Sequence, residues 1–92
     1  MKATATVETK KAHRYMKAMI NHFGQKVNAA YESDSGYVEF GFGRCDIEAQ
    51  DETLSFRLNS PEQEGLNSLK WMVDKHITRF SQNEISALTW QS

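Results

Sequence analysis

The residues of this sequence best suited to chemistry are His22, His76 and Cys45. Two imidazoles and a thiolate are a suitable donor set for zinc or iron. His76 alone could ligate a metal or carry a proton, because a histidine ring titrates near neutrality. It sits at helical spacing between Met72 and Phe80, inside an apolar stripe, where burial favours the neutral ring. The favoured reading is a core histidine bonded to a backbone carbonyl. Cys45 has apolar neighbours on its own face of a strand, and such a cysteine behaves as a small inert hydrophobe.

Three further groups stand out. Arg79 and Glu84 flank the end of a helix and are expected to form an ion pair that fixes the following turn. Arg79 is also a candidate anion fork. Thr9, Lys10, Lys11 and Arg14 gather at a helix start, where free amides and basic side chains suit an anion. Trp71 points about 180° away from the apolar stripe, among Asn67, Asp74, Lys75 and Thr78. Exposed tryptophan is enriched at protein interfaces.

These residues need elements to hold them. Ala3 to Val7 reads as a short strand. Thr9 is placed to cap a helix over Lys10 to Phe23, whose apolar positions Ala12, Tyr15, Met16, Met19 and Phe23 share one face. Gly24 is expected to end that helix in the left-handed conformation. Val27 to Glu32 and Tyr37 to Gly41 read as strands around a Ser33–Gly36 turn. Gly41 to Gly43 is either a hairpin connection or a bend within one longer strand. Cys45, Ile47 and Ala49 alternate with polar residues, as do Leu54, Phe56 and Leu58, so these two strands bury one face only.

Ser60-Pro61-Glu62-Gln63 has the composition of a helix start with a capping box. Leu66, Leu69, Met72, Val73, Ile77 and Phe80 form the stripe of the second helix. Ile85 to Trp90 is expected to be a last strand. The order is β-α-β-β-β-β-α-β, which implies a single α+β domain over residues 1–92: an antiparallel sheet with both helices on one face. With four strands between them, the helices run in opposite directions. That is expected to separate His22 from His76, and so no metal site and no cofactor are expected.

Composition narrows the function classes. The chain has 92 residues, 39% of them hydrophobic, and a net charge of -1, so there is no global attraction to nucleic acid or an acidic membrane. Charge is uneven: residues 1–26 carry +5 and residues 27–64 carry -7. One cysteine excludes an internal disulfide and multi-cysteine metal motifs. No apolar run is long enough to span a membrane, and the first residues lack a signal core, so a cytoplasmic location is expected. The expected outer sheet face, Thr4, Thr6, Asn28, Glu39, Asp46, Glu48 and Arg57, is too acidic for sheet-based nucleic-acid binding.

Arg14-Tyr15, His22-Phe23 and Lys26, then Gly36, Phe40, Gly43-x-Cys45-x-Ile47-x-Ala49, then His76-Ile77-Thr78-Arg79-Phe80, Glu84 and Trp90 resemble bacterial domain of unknown function 2218. The resemblance covers nearly the whole chain. It departs from the family at Gln25, where a histidine is frequent, and at Asn83, where an arginine is. It implies a small cytoplasmic bacterial domain with no assigned activity, and some association with iron and siderophore metabolism.

The reading that results is a non-enzymatic interaction or accessory module, with a protein partner or self-association through the Trp71 face. The alternative is a ligand- or metal-binding accessory protein using His22, His76, Arg79 and Glu84.

Overall fold

The structure, a computed structural model, describes all of residues 1–92. The elements are β1 (Lys2–Glu8), α1 (Ala12–Phe23), β2 (Asn28–Glu32), β3 (Ser35–Phe40), β4 (Gly43–Gln50), β5 (Thr53–Asn59) and α2 (Gln63–Phe80). The strands form one antiparallel sheet in the order β1-β5-β4-β3-β2. Both helices pack on one face of it. This is the α+β layering that the hydrophobic patterning implied.

The meander from β2 to β5 turns through three two-residue connections: Ser33-Asp34, Gly41-Phe42 and Asp51-Glu52. Ser33 and Asp51 take positive φ, at 57° and 56°, and aspartate is among the side chains that tolerate it, whereas Gly41-Phe42 reverses with no positive φ. The pairing of Phe40 with Gly43 shows that Gly41-Phe42 is a hairpin and not a bend in one strand. Inward residues alternate as the period of two requires. Val38, Cys45, Ile47, Ala49, Leu54, Phe56 and Leu58 are all buried. They meet Tyr15, Met16, Met19 and Ile20 of α1 and Leu66, Leu69, Val73 and Ile77 of α2 in a single core.

Three terminal features depart from the sequence reading. Gly24 keeps right-handed angles, φ -63° and ψ -11°, because its N–H still bonds Ile20 O and the chain adds one more turn to Val27. Helix α1 begins at Ala12, and Thr9 Oγ1 accepts the Lys11 N–H just ahead of it. Ser60 does not close a capping box. Its buried hydroxyl donates to Phe42 O at 2.6 Å, tying the β3–β4 hairpin to the start of α2, and the helix begins later, after Glu62.

Residues 85–90 form no strand. The tail's backbone pairs with the sheet only where Thr4 and Gln91 exchange hydrogen bonds of 2.7 and 2.8 Å. Continuing that register sets Trp90 opposite Ala5, on the core side of the sheet. Ala5 is small, so the indole passes over β1 and meets Phe56 on β5, ring centres 6.2 Å apart. Asp74 fixes the tail from above, accepting Leu88 N–H at 3.2 Å and Trp90 Nε1–H at 3.2 and 3.3 Å. No helix is long and apolar enough to cross a membrane.

Candidate functional site: the paired helix ends

His22 and His76 lie together, ring centres 5.0 Å apart. This corrects the expectation that opposed helices hold them apart. The helices do run in opposite directions, but they are staggered and overlap through their C-terminal turns. His22 also meets Phe80 at 5.5 Å, and His76 meets Phe23 at 4.6 Å. The N-terminal half of α1 is covered instead by the chain after Phe80. Direction of travel fixes the sense of two helices and leaves their overlap free, so it does not set the distance between the two histidines.

His76 Nδ1 lies 2.7 Å from Met72 O. A carbonyl only accepts, so Nδ1 carries the proton and the lone pair stays on Nε2. The core-histidine reading of His76 thus has its carbonyl. His22 is exposed at the helix end. Partial desolvation where its ring packs on His76 and Phe80 lowers its pKa from the usual histidine value, and repulsion from His76 when protonated, and from Arg79 and Lys26, lowers it further. Both rings stand in an aromatic row that continues through Phe23 to Phe40 and Phe42.

Cys45 does not join them. It is buried between Val38 and Leu58, and that burial pushes its thiol far above the ordinary range. No third His, Cys, Asp or Glu completes a metal-binding group. The structure brings together two of the three proposed donors.

Glu84 is not paired with Arg79. Gln82 and Asn83 both take left-handed angles, φ 53° and 71°, and turn the chain back over α1. The Glu84 carboxylate therefore meets Tyr15, whose hydroxyl donates to Oε1 at 2.5 Å, and Thr9, which donates to Oε2 at 3.2 Å. The Tyr15 hydrogen bond holds the carboxyl below its usual range, and raises the Tyr15 pKa in return. Arg79 is exposed and forms no ion pair. Tyr15 was read from the sequence as a core residue only; nothing local marks a partner sixty-nine positions away.

Trp71 stands out from α2 as helical periodicity requires, 62% exposed. Lys75 Nζ lies 4.7 Å above its ring. Thr78 and Asp74, on the neighbouring turns, are engaged by the tail through Ser86 O and Trp90.

The outer sheet face holds a shallow cavity of about 550 Å³ whose lining includes Tyr37, Arg44, Asp46, Glu48 and Arg57. Tyr37 and Arg44 were missing from the expected outer set, although the parity that turned Val38 and Cys45 inward would have placed them there. Arg44 lies 4.5 Å above the Tyr37 ring and is neutralised by Glu39 at 2.7 Å and Asp46 at 3.1 Å.

A search of curated proteins gives no match. Among solved structures, the chain is similar to one described as "NMR structure of PA4090 from Pseudomonas aeruginosa". The two share 28% identity with a TM-score of 0.84, over 98% of this chain and 94% of that one. Residues 4–91 match the model of a family described as an uncharacterized protein conserved in bacteria. Tyr15, His22, His76 and Glu84, which carried the resemblance in the sequence, are the residues that join α1 to the C-terminal third of the chain, and the protein belongs to that family, DUF2218.

Proposed function

We propose that this domain is a non-enzymatic accessory module of the cytoplasm that acts by protein–protein contact, with Trp71 as the anchor of its contact face. The observation that carries the reading is the 62% exposure of Trp71 on a helix whose opposite face is committed to the core. A large, stiff aromatic seated in a partner pocket contributes ~2 kcal/mol or more to binding. The Lys75 ammonium 4.7 Å above the ring favours one ring orientation, which would reduce the entropy lost on docking. The test begins with the protein that copurifies with the intact chain. Its affinity for purified wild type and for Trp71→Ala is then compared. A loss of roughly 30-fold, equivalent to ~2 kcal/mol, is expected; equal affinities overturn the assignment.

A second reading is supported by the 5.0 Å separation of His22 and His76. An ion ~2.0–2.1 Å from a nitrogen of each ring would lie about 3.2 Å from both ring centres and subtend roughly 100° between them, near a tetrahedral angle. His76 already has the carbonyl partner that metal-bound histidines favour. The domain would then be a metal-binding accessory to iron or siderophore metabolism. Arg79 and Lys26 oppose a cation there, so this reading stands behind the first. Titration with zinc or iron, followed by the His22 and His76 ring signals, tests it; rings that do not shift remove it.

A further inference from the structure

The two edges of the sheet are treated differently. The β1 edge is met by the tail through the Thr4–Gln91 pair. The β2 edge, Asn28-Ala29-Ala30-Tyr31-Glu32, is met by nothing. Exposed edges are normally blunted by proline, an inward lysine or a bulge. Strand β2 has none of these, and its pairing with β3 is continuous from Asn28 to Glu32.

The phase of that pairing determines what the open edge presents. Glu32 and Ser35 close a two-residue hairpin, so they form a hydrogen-bonded pair, and alternation makes Ala30–Tyr37 and Asn28–Glu39 hydrogen-bonded pairs as well. Ala29 and Tyr31 therefore direct their N–H and C=O groups outward, towards the open edge.

We propose that this edge pairs with the β2 edge of a second copy of the chain, antiparallel about a two-fold axis through Ala30. In that register Ala29 of each copy faces Tyr31 of the other. These are the two residues with free backbone groups, and four new hydrogen bonds form. Ala30 faces Ala30 across the axis, without hydrogen bonds and without steric bulk. The flanking side chains also match: Asn28 can donate to Glu32, and Lys26 approaches Asp34, which already meets His13 Nε2 at 2.7 Å, on both sides of the axis. Lys26 and Glu32 make no ion pair within one chain. Tyr31, 38% exposed in the single chain, would reach over the partner's groove between α1 and β2, lined by Ile20, Gly24 and Ala29. An isologous pairing of this kind closes on itself and leaves no new edge at the junction. It involves a surface separate from Trp71.

Sedimentation equilibrium over roughly 10 µM to 1 mM, the range suited to an interface of modest area, tests the proposal. Wild type is expected to dimerise. Ala30→Lys and Ala30→Glu, at an exposed outer-face position, are each expected to be folded monomers, because like charges would stand ~4.5 Å apart at their Cα atoms. An equal mixture of the two is expected to recover the dimer, which also shows that both variants fold. Trp71→Ala is expected to dimerise like wild type. A monomeric wild type, an Ala30→Lys dimer as strong as wild type, a mixture that stays monomeric, or a dimer lost in Trp71→Ala would each overturn it.

Discussion

Tyr15 on α1 donates a 2.5 Å hydrogen bond to Glu84, which a left-handed turn after α2 delivers to it. This bond, with the one from Thr9, fastens the end of the chain to the start of the first helix. Tyr15→Phe and Glu84→Gln are each expected to lower the urea midpoint. Because the two residues act as one contact, the double variant should lose less than the two single losses added together. Additive losses in the double-mutant cycle would show that the bond carries no coupling.

The same pair sets a pH dependence at each end of the scale. The carboxyl of Glu84 is held below its unfolded value. Its contribution is therefore present above a pH of about 4.3 and lost as the pH falls through the lower folded value. Tyr15 is raised, so its contribution is present below a pH of about 10 and lost as the pH rises through its folded value. Unfolding measured across pH should lose its acid-side decline in part in Glu84→Gln; an unchanged acid limb would refute this.

His22 contributes in a separate window. Its folded pKa is lowered, so the native state binds fewer protons than the unfolded chain between that value and about 6.5. Stability is full above about 6.5 and declines as the pH falls through the folded value. Ring signals followed by NMR should give a His22 midpoint below about 6.5, and His22→Asn should flatten this part of the stability profile. A midpoint at or above the ordinary value would contradict the packing described for the helix ends.

Gly43 makes a steric prediction. A Cβ there would stand 2.7 Å from Leu69 Cδ1 and 2.8 Å from the backbone oxygen of Asn59. The oxygen belongs to the sheet ladder and cannot yield, so Gly43→Ala should force α2 away from the hairpin at a cost of about 1–3 kcal/mol. Gly41→Ala is the control, since nothing lies within 4 Å of its added carbon; it should change stability by less than ~0.5 kcal/mol. Denaturant midpoints of the two variants decide this.

Asp74 should prove to be the residue that holds the tail. Asp74→Ala removes the acceptor for both Leu88 N–H and Trp90 Nε1–H. Hydrogen bonds to a charged acceptor contribute about 1.5–3 kcal/mol. Faster hydrogen exchange at the Thr4 and Gln91 amides is expected, with little change at Ile47 in the sheet centre. Equal protection in both variants would place the tail's anchor elsewhere.

What could be read from the sequence was whatever rests on local period. The alternation around Cys45, Ile47 and Ala49 and around Phe56 gave β4 and β5, and the stripe through Leu69, Val73 and Ile77 gave α2 and the outward direction of Trp71. His76 could be placed in that stripe because 100° per residue needs no tertiary knowledge. Its proximity to His22 could not, because the stagger of two helices depends on how side chains pack across them. Ser60 shows the same limit on a smaller scale: its type predicts a cap, and its oxygen does accept the Glu62 N–H at 3.4 Å, but its hydroxyl also donates to Phe42 O and α2 starts only at Gln63. Glu84 was assigned to Arg79, its near neighbour in the sequence, while the two positive-φ residues between them sent it to Tyr15.

The position of β1 has a consequence for the order in which the domain can form as it is synthesised. Strand β1 is made first, but its ladder partner runs from Thr53 to Asn59, and its outer edge waits for Gln91. At ribosomal rates of about 5–20 residues per second, the first strand stays unpaired for roughly 3–11 s while the meander and α1 can already assemble. Late in that interval, before β5 is made, the β4 edge of the nascent sheet is open. Ala3 and Ala5, small and weakly apolar, offer little surface for a wrong partner to grip. Ala5, which makes room for Trp90 in the finished fold, therefore also helps to keep the waiting strand inconspicuous.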